Sequence, residues 1–268
     1  MNDVTVAVGQ LTPGCHVEAN WAQAAQLIAR AAQLGASLLV LPETTMLAIT
    51  PTAEFGRVAR SAWPGWLDKL SDAARRHAIA VVAGGFEPAE DPARPYNTLA
   101  AVDRDGALVA TQRKIHLYDA FSYRESDHVS AGAELPQVVE LAGLSLGLVN
   151  CYELRFPEQA RSLATQGAQV LVVAAAWMPG PLKEGHWKTL IRARAIENTA
   201  YVMAAGVTGS QGIGLSQVAD PMGVVLAQAG ETPMALAVAE ISAERLAQVR
   251  ATLPVLANRR IEVDLRLT

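Results

Sequence analysis

The apolar positions of this 268-residue chain fall into two kinds of run that alternate along its length. Residues 4–8, 37–41, 79–86, 168–173 and 201–207 are short, nearly unbroken apolar stretches of strand length, the pattern of strands covered on both faces. Between them, residues 20–34, 64–77, 157–166 and 184–198 carry apolar side chains at helical spacing, and Gly35 and Gly167 stand where a helix would end in a left-handed cap. Two stretches alternate instead. Residues 97–102 and 107–114 are joined by Asp103-Arg104-Asp105-Gly106, and 214–219 and 223–227 by Asp220-Pro221-Met222-Gly223; both read as hairpins. Residues 234–240 predict a last strand and 242–250 a last helix.

The two halves echo each other. Residues 33–40 and 166–172 each run from a helix end through Gly and Ala into a buried strand. Strands this apolar need cover on both sides, so the economical α/β architecture places sheet against sheet with helices outside. No Pro/Gly/Ser-rich linker divides the halves, which predicts one domain over 1–268. Residues 257–268 read as a C-terminal tail in need of a surface, on this subunit or a partner.

Composition narrows the class. Half of the residues are apolar (51%) and 18% charged, the balance of a globular chain. A net charge of −4 and the lack of Lys/Arg blocks argue against a nucleic-acid surface. No apolar run approaches the ~18 residues of a membrane span. The two cysteines, Cys15 and Cys151, make no disulfide framework. With no signal peptide visible, cytoplasmic residence is the simplest expectation.

Cys151 stands out by its surroundings. The apolar run 144–150 delivers it, and Tyr152-Glu153-Leu154-Arg155-Phe156-Pro157-Glu158 reads as a turn into a helix with Pro157 at its first position. A thiol on such an elbow can face a pocket, and the helix end can favour a thiolate there. The competing reading is a small buried apolar residue. Glu43 ends the buried run 39–43, Lys114 ends a hairpin strand, and Glu125 lies in a polar loop. Each taken singly also fits a solvated surface charge.

Together these positions match a known pattern. The segments LLVLPE (38–43), RKIHLYD (113–119), RES…SAG (124–132), NCYELRFPE (150–158), HW…RARAIEN (186–198) and GLSQVADPMG (214–223) follow the order seen in the nitrilase superfamily of carbon–nitrogen hydrolases. The chain resembles that family over nearly its whole length. The resemblance implies a four-layer αββα sandwich, with two mixed sheets face to face, pairing into an eight-layer homodimer. It implies Glu43, Lys114 and Cys151 as a catalytic triad with Glu125 in support, no cofactor and no metal, and a small amide as substrate.

The residue types agree with amide hydrolysis. A carboxylate beside a thiol can take its proton and pass it to the departing nitrogen, and a lysine with the Tyr152 N–H can hold the oxyanion. Two rival uses stay open: Lys114 as a Schiff-base amine, and a Cys–His dyad drawing on His77, His116, His128 or His186. Arg155 can clamp a substrate carboxylate or pair internally with Glu153 or Glu158. The Arg-Phe-Pro-Glu stretch looks like the branch of omega-amidases and deaminated-glutathione amidases, which adds Tyr152, Arg155, Trp177 and His186 as candidate substrate-binding residues. Glu153 departs from the aspartate usual at its position. An N-carbamoyl amino acid amidohydrolase or a nitrilase stays open within the superfamily, and a non-catalytic scaffold outside it.

Overall fold

The computed structural model describes residues 3–49, 55–262 and 265–267. Strand β1 (Val4–Gly9) leads through helix α1 (Val17–Gln33) to β2 (Leu38–Val40). Helix α2 (Phe55–His77) returns the chain to β3 (Ala80–Glu87), and β4 (Tyr96–Val102) and β5 (Leu108–Arg113) complete the first half as a hairpin. A two-stranded ribbon, β6 (Asp119–Ala120) and β7 (Tyr123–Arg124), links the halves.

The second half repeats the order. After β8 (Val138–Leu141) and β9 (Leu144–Asn150), helix α3 (Pro157–Thr165) leads to β10 (Val170–Ala175) and α4 (Lys183–Asn198) to β11 (Tyr201–Gly206). A hairpin of β12 (Gln217–Ala219) and β13 (Val225–Gln228) follows; β14 (Leu236–Ile241) and α5 (Ala243–Thr252) end the regular structure.

The sheets run β14-β1-β2-β3-β4-β5 and β8-β9-β10-β11-β12-β13. In each, three central strands are parallel and the rest antiparallel. The echo between the halves is therefore a repeat of topology. Strand alternation assigns the layers. Val6, Val8, Val40 and Val82 meet Leu146, Leu148, Val172 and Met203 between the sheets. Leu39 and Val81 point the other way, under Leu27, Trp66 and Leu70 of α1 and α2. Leu171 and Val202 lie under Leu163, Trp187 and Ile191 of α3 and α4. The αββα sandwich expected from the sequence is the observed fold.

One local expectation changes, and one strand is new. The helix read from residue 64 begins at Phe55, with Pro64 inside it. Buried Phe55, Ala59, Trp63 and Trp66 on one face outweigh the hydrogen bond that proline removes. Strand β8 carries no hairpin signal because its turn is Ala142-Gly143, both at positive φ (52° and 75°), a conformation alanine rarely adopts. The turn read after Cys151 is a 3₁₀ turn, Cys151–Arg155, and α3 begins at Pro157, as the sequence predicts. In the tail, Ile261 and Leu267 are exposed, while residues 263, 264 and 268 lie outside the described residues.

Candidate active site

Four strand ends supply the site. Cys151 directly follows β9 and takes φ of 52°, a left-handed conformation uncommon for a residue with a side chain. Glu43 lies three residues past β2, where Gly84 of β3 lets the Pro42–Glu43 backbone come close: the Gly84 N–H donates to Pro42 O at 3.1 Å and Met46 N–H to Gly84 O at 3.1 Å. Lys114 follows β5 and is fixed on both sides, its N–H donating to Asn97 O and its carbonyl accepting from Gly132 N–H, each at 2.8 Å. Glu125 opens a 3₁₀ turn after β7 and accepts the Tyr118 N–H at 2.7 Å.

These side chains converge. Lys114 Nζ donates to Glu43 Oε1 at 2.7 Å and to Glu125 Oε2 at 2.8 Å. Glu43 Oε2 accepts the Ala176 N–H at 2.7 Å, and the Cys151 thiol lines the same cavity within reach of the carboxylate's charge. Asn97 binds both carboxylates, donating to Glu43 Oε1 at 2.8 Å and Glu125 Oε1 at 3.0 Å, and accepts from Asn150 Nδ2 at 3.0 Å. Glu43, Lys114 and Glu125 are almost wholly buried and Cys151 is 7% exposed.

Charge explains the protonation of the cluster. Burial alone would raise Glu43, but the Lys114 ammonium, then hydrogen bonds from Lys114 and the Ala176 N–H, hold it below the usual carboxylate value. Burial opposes the Lys114 charge, yet Glu125 and Glu43 keep it well above an ordinary lysine. The Cys151 thiol is pushed well up, by burial first and then by Glu43, with Lys114 opposing. The thiolate expected from the helix dipole is thus not the resting form. Helix α3 begins only at Pro157, and the cluster already holds one more carboxylate than ammonium.

Above the cluster lies a cavity of ≈ 150 Å³, lined by Glu43, Lys114, Glu125 and Cys151 and, on its outer wall, by Tyr152, Arg155, Trp177, Tyr118, Tyr123 and Lys183. Thr44 also lines it, and its buried hydroxyl has no hydrogen-bond partner in the protein. The Arg155 guanidinium stacks over the Trp177 ring at 4.6 Å, and among the described residues it pairs with no carboxylate, Glu153 and Glu158 included. His186 does not line the cavity: its Nδ1 lies 3.4 Å from Nη2 of Arg155, which does. No histidine lines the cavity, and His116 stacks on Phe156 at 3.8 Å, so a Cys–His dyad is not formed. Lys114, charged between two carboxylates, is a poor Schiff-base amine. Sequence reasoning missed Asn97, Tyr118 and Lys183. Among the described residues, no group of three or more His, Cys, Asp or Glu side chains is arranged to hold a metal.

A buried thiol, carboxylate and ammonium thus meet at the strand ends of an αββα sandwich. The carbon–nitrogen hydrolase family model matches residues 5–251. The chain is 43% identical to a deaminated glutathione amidase of Escherichia coli O157:H7 over 256 residues, 95% of this chain and 97% of that one. Its fold superimposes on the NitFhit protein of C. elegans with a TM-score of 0.90 at 34% identity, covering 97% of this chain and 66% of that longer one. It superimposes on a mutant of the amidase from Nesterenkonia sp. AN1, bearing the acetamide moiety of fluoroacetamide on its active-site cysteine, with a TM-score of 0.83 at 27% identity over 96% of this chain and 94% of that one. The chain belongs to the carbon–nitrogen hydrolase family, and is a hydrolase acting on carbon–nitrogen bonds other than peptide bonds.

Proposed function

We propose that this protein is an amidase for small carboxamides that carry an acidic group remote from the scissile bond, with Cys151 as nucleophile, Glu43 as the shared acid and base, and Lys114 as the cation beside the developing oxyanion. The observation that carries the reading is the buried Glu43 carboxylate, which accepts the Lys114 ammonium at 2.7 Å and lines one cavity with it and the Cys151 thiol. Glu43 takes the thiol proton as sulfur attacks the carbonyl carbon, then gives it to the nitrogen as the C–N bond breaks. Water, deprotonated by the same carboxylate, attacks the thioester and regenerates the thiol. Lys114 and the Tyr152 N–H stabilise the oxyanion, and loss of one such donor costs on the order of 10²–10³ in rate. Glu125 holds Lys114 in place, and Tyr152, Arg155 and Trp177 wall the acyl pocket.

The relatives named for deaminated glutathione support an acid-bearing amide, since that compound keeps the carboxylates of glutathione. A primary amide releases ammonia, a substituted one its amine. The exposed apolar residues of the tail support a homodimer built through it, which light scattering tests, and the free cysteines suit a reducing, cytoplasmic setting. Release of ammonia or amine from a panel of 2-oxo-acid amides, deaminated glutathione, N-carbamoyl amino acids, aliphatic amides and nitriles tests the reaction. Turnover of acidic amides that vanishes in a folded Cys151→Ala variant supports it; full activity in that variant ends it.

A further inference from the structure

Besides Lys114 and Arg155, the cavity is lined by a third cation that its chemistry leaves unanswered. Lys183, the first residue of α4, is only 5% exposed. Its Nζ donates to the Tyr118 hydroxyl at 3.1 Å and lies 5.2 Å over the same Trp177 ring that Arg155 covers at 4.6 Å. Phe121 and Tyr118 flank it at 4.8 and 5.0 Å. Among the described residues neither Lys183 nor Arg155 has a carboxylate partner. Two buried or half-buried cations thus pack on one indole ring with no carboxylate partner among the described residues, at a helix N-terminus that itself favours negative charge. Burial and the Arg155 charge hold Lys183 below the usual lysine range, as expected of neighbouring cations lacking an anion. The Trp177 indole N–H donates to the Lys183 carbonyl at 2.9 Å, which fixes the ring and the lysine backbone together. The arrangement is therefore built, at some cost, on the wall facing Cys151.

We propose that Lys183 and Arg155 together form an anion subsite that receives a carboxylate of the substrate, Lys183 being the specificity-determining residue that gives acidic amides preference over neutral ones. The proposal rests on the amidase reading for the word substrate, but the subsite itself can be tested without turnover. A dicarboxylic acid monoamide such as glutaramate puts its amide carbon on Cys151 and its carboxylate between the two cations. A charge-assisted hydrogen bond of this kind discriminates by roughly 10- to 100-fold.

Calorimetric titration of Cys151→Ala protein with glutarate, and with neutral glutaramide as control, reads the subsite directly. Glutarate is expected to bind, to weaken roughly 10-fold or more when Lys183→Met is added, and to recover in part with Lys183→Arg, while glutaramide changes far less. In protein with its thiol, Lys183→Met is expected to raise KM for glutaramate with a smaller effect on kcat, and to affect butyramide less. Absence of glutarate binding, or binding indifferent to Lys183→Met, overturns the subsite; so does an unchanged ratio of glutaramate to butyramide turnover. Lysine-dependent glutarate binding in a protein that hydrolyses no amide upholds the subsite and sinks the amidase reading instead. Should Lys183→Met fail to fold, Lys183→Gln against Lys183→Arg makes the same comparison, loss being expected only in the former.

Discussion

Glu153 Oε1 accepts a 2.8 Å hydrogen bond from the backbone N–H of Ile115, 38 positions earlier in the chain. Ile115 follows Lys114. The other Glu153 oxygen accepts the N–H of Asn150, which precedes Cys151, at 2.8 Å and Gln159 Nε2 at 2.9 Å. One buried carboxylate thus sets the distance between the strand end bearing the ammonium and the elbow bearing the thiol. Burial pushes Glu153 above the usual carboxylate value, and these three donors pull it back. Replacing it by alanine strands two backbone N–H groups, each worth about 1–3 kcal/mol when buried and unpaired. Urea unfolding of Glu153→Ala is expected to show a loss of roughly 2–5 kcal/mol, with kcat falling more than KM rises. Full stability would refute this account.

Glu43→Gln keeps the shape of the side chain and its contact with the Ala176 N–H but removes the proton acceptor. Lys114 retains Glu125 as counter-charge, so the fold should survive. The expected outcome is a fall in kcat of roughly 10²–10⁴, with KM moving much less, and acyl-enzyme visible by intact-mass spectrometry when deacylation is the slower step. A kcat within a few fold of the parent protein would remove Glu43 from the chemistry.

The parts of this site that the sequence made legible are those delivered by uninterrupted apolar runs. Glu43 and Cys151 each follow a strand buried on both faces, which singles them out, although singly Glu43 also reads as a solvated charge and Cys151 as a small buried apolar residue. Glu125 and Lys114 were read through segment order, because a loop glutamate and a hairpin lysine look like surface charges until tertiary packing buries them. Lys183 was illegible for the same reason, sitting in Pro-Leu-Lys-Glu at a helix start that reads as solvated. Asn97 reads as one more strand residue; only the pairing of β4 with β3 and β5 turns its amide toward two carboxylates. His186, next to Trp187, was drawn toward the pocket by its segment, yet it meets Arg155 without lining the cavity.

The raised thiol makes stability depend on pH in a defined direction. Cys151 lies well above its usual value of 9.0 in the folded protein, so above pH 9 the unfolded chain releases a proton that the folded one keeps. Its contribution is fully present below pH 9 and is lost as pH rises toward the folded value, by at most about 1.4 kcal/mol per pH unit. Cys151→Ala lacks this titration. The stability of the parent relative to Cys151→Ala, measured by urea unfolding between pH 8 and 10.5, should therefore decline above pH 9. On the acid side Glu43, held below its usual 4.5, adds stability that is lost as pH falls below that value. A parent-minus-variant difference flat across the alkaline range would mean that the folded thiol ionises as freely as an unfolded one.

Gly84 decides where Glu43 can stand. A Cβ on this β3 residue would overlap the backbone carbonyl of Glu43, with the carbon and Cα of that residue next in the way. Backbone of this kind cannot swing aside as a flexible side-chain tip can, and two hydrogen bonds already tie Gly84 to Pro42 and Met46. Gly84→Ala must therefore push the Pro42–Glu43 segment away from β3 and, with it, the carboxylate away from Lys114 and Cys151. Overpacking of this size destabilises by about 1–3 kcal/mol. Displacing the base by ~1 Å costs on the order of 10²-fold in rate. Activity is thus expected to fall much further than stability, and a crystal structure of the variant should show a longer Glu43–Lys114 contact than the present 2.7 Å. Parent-like turnover in Gly84→Ala would show that the close approach of the two backbones is dispensable.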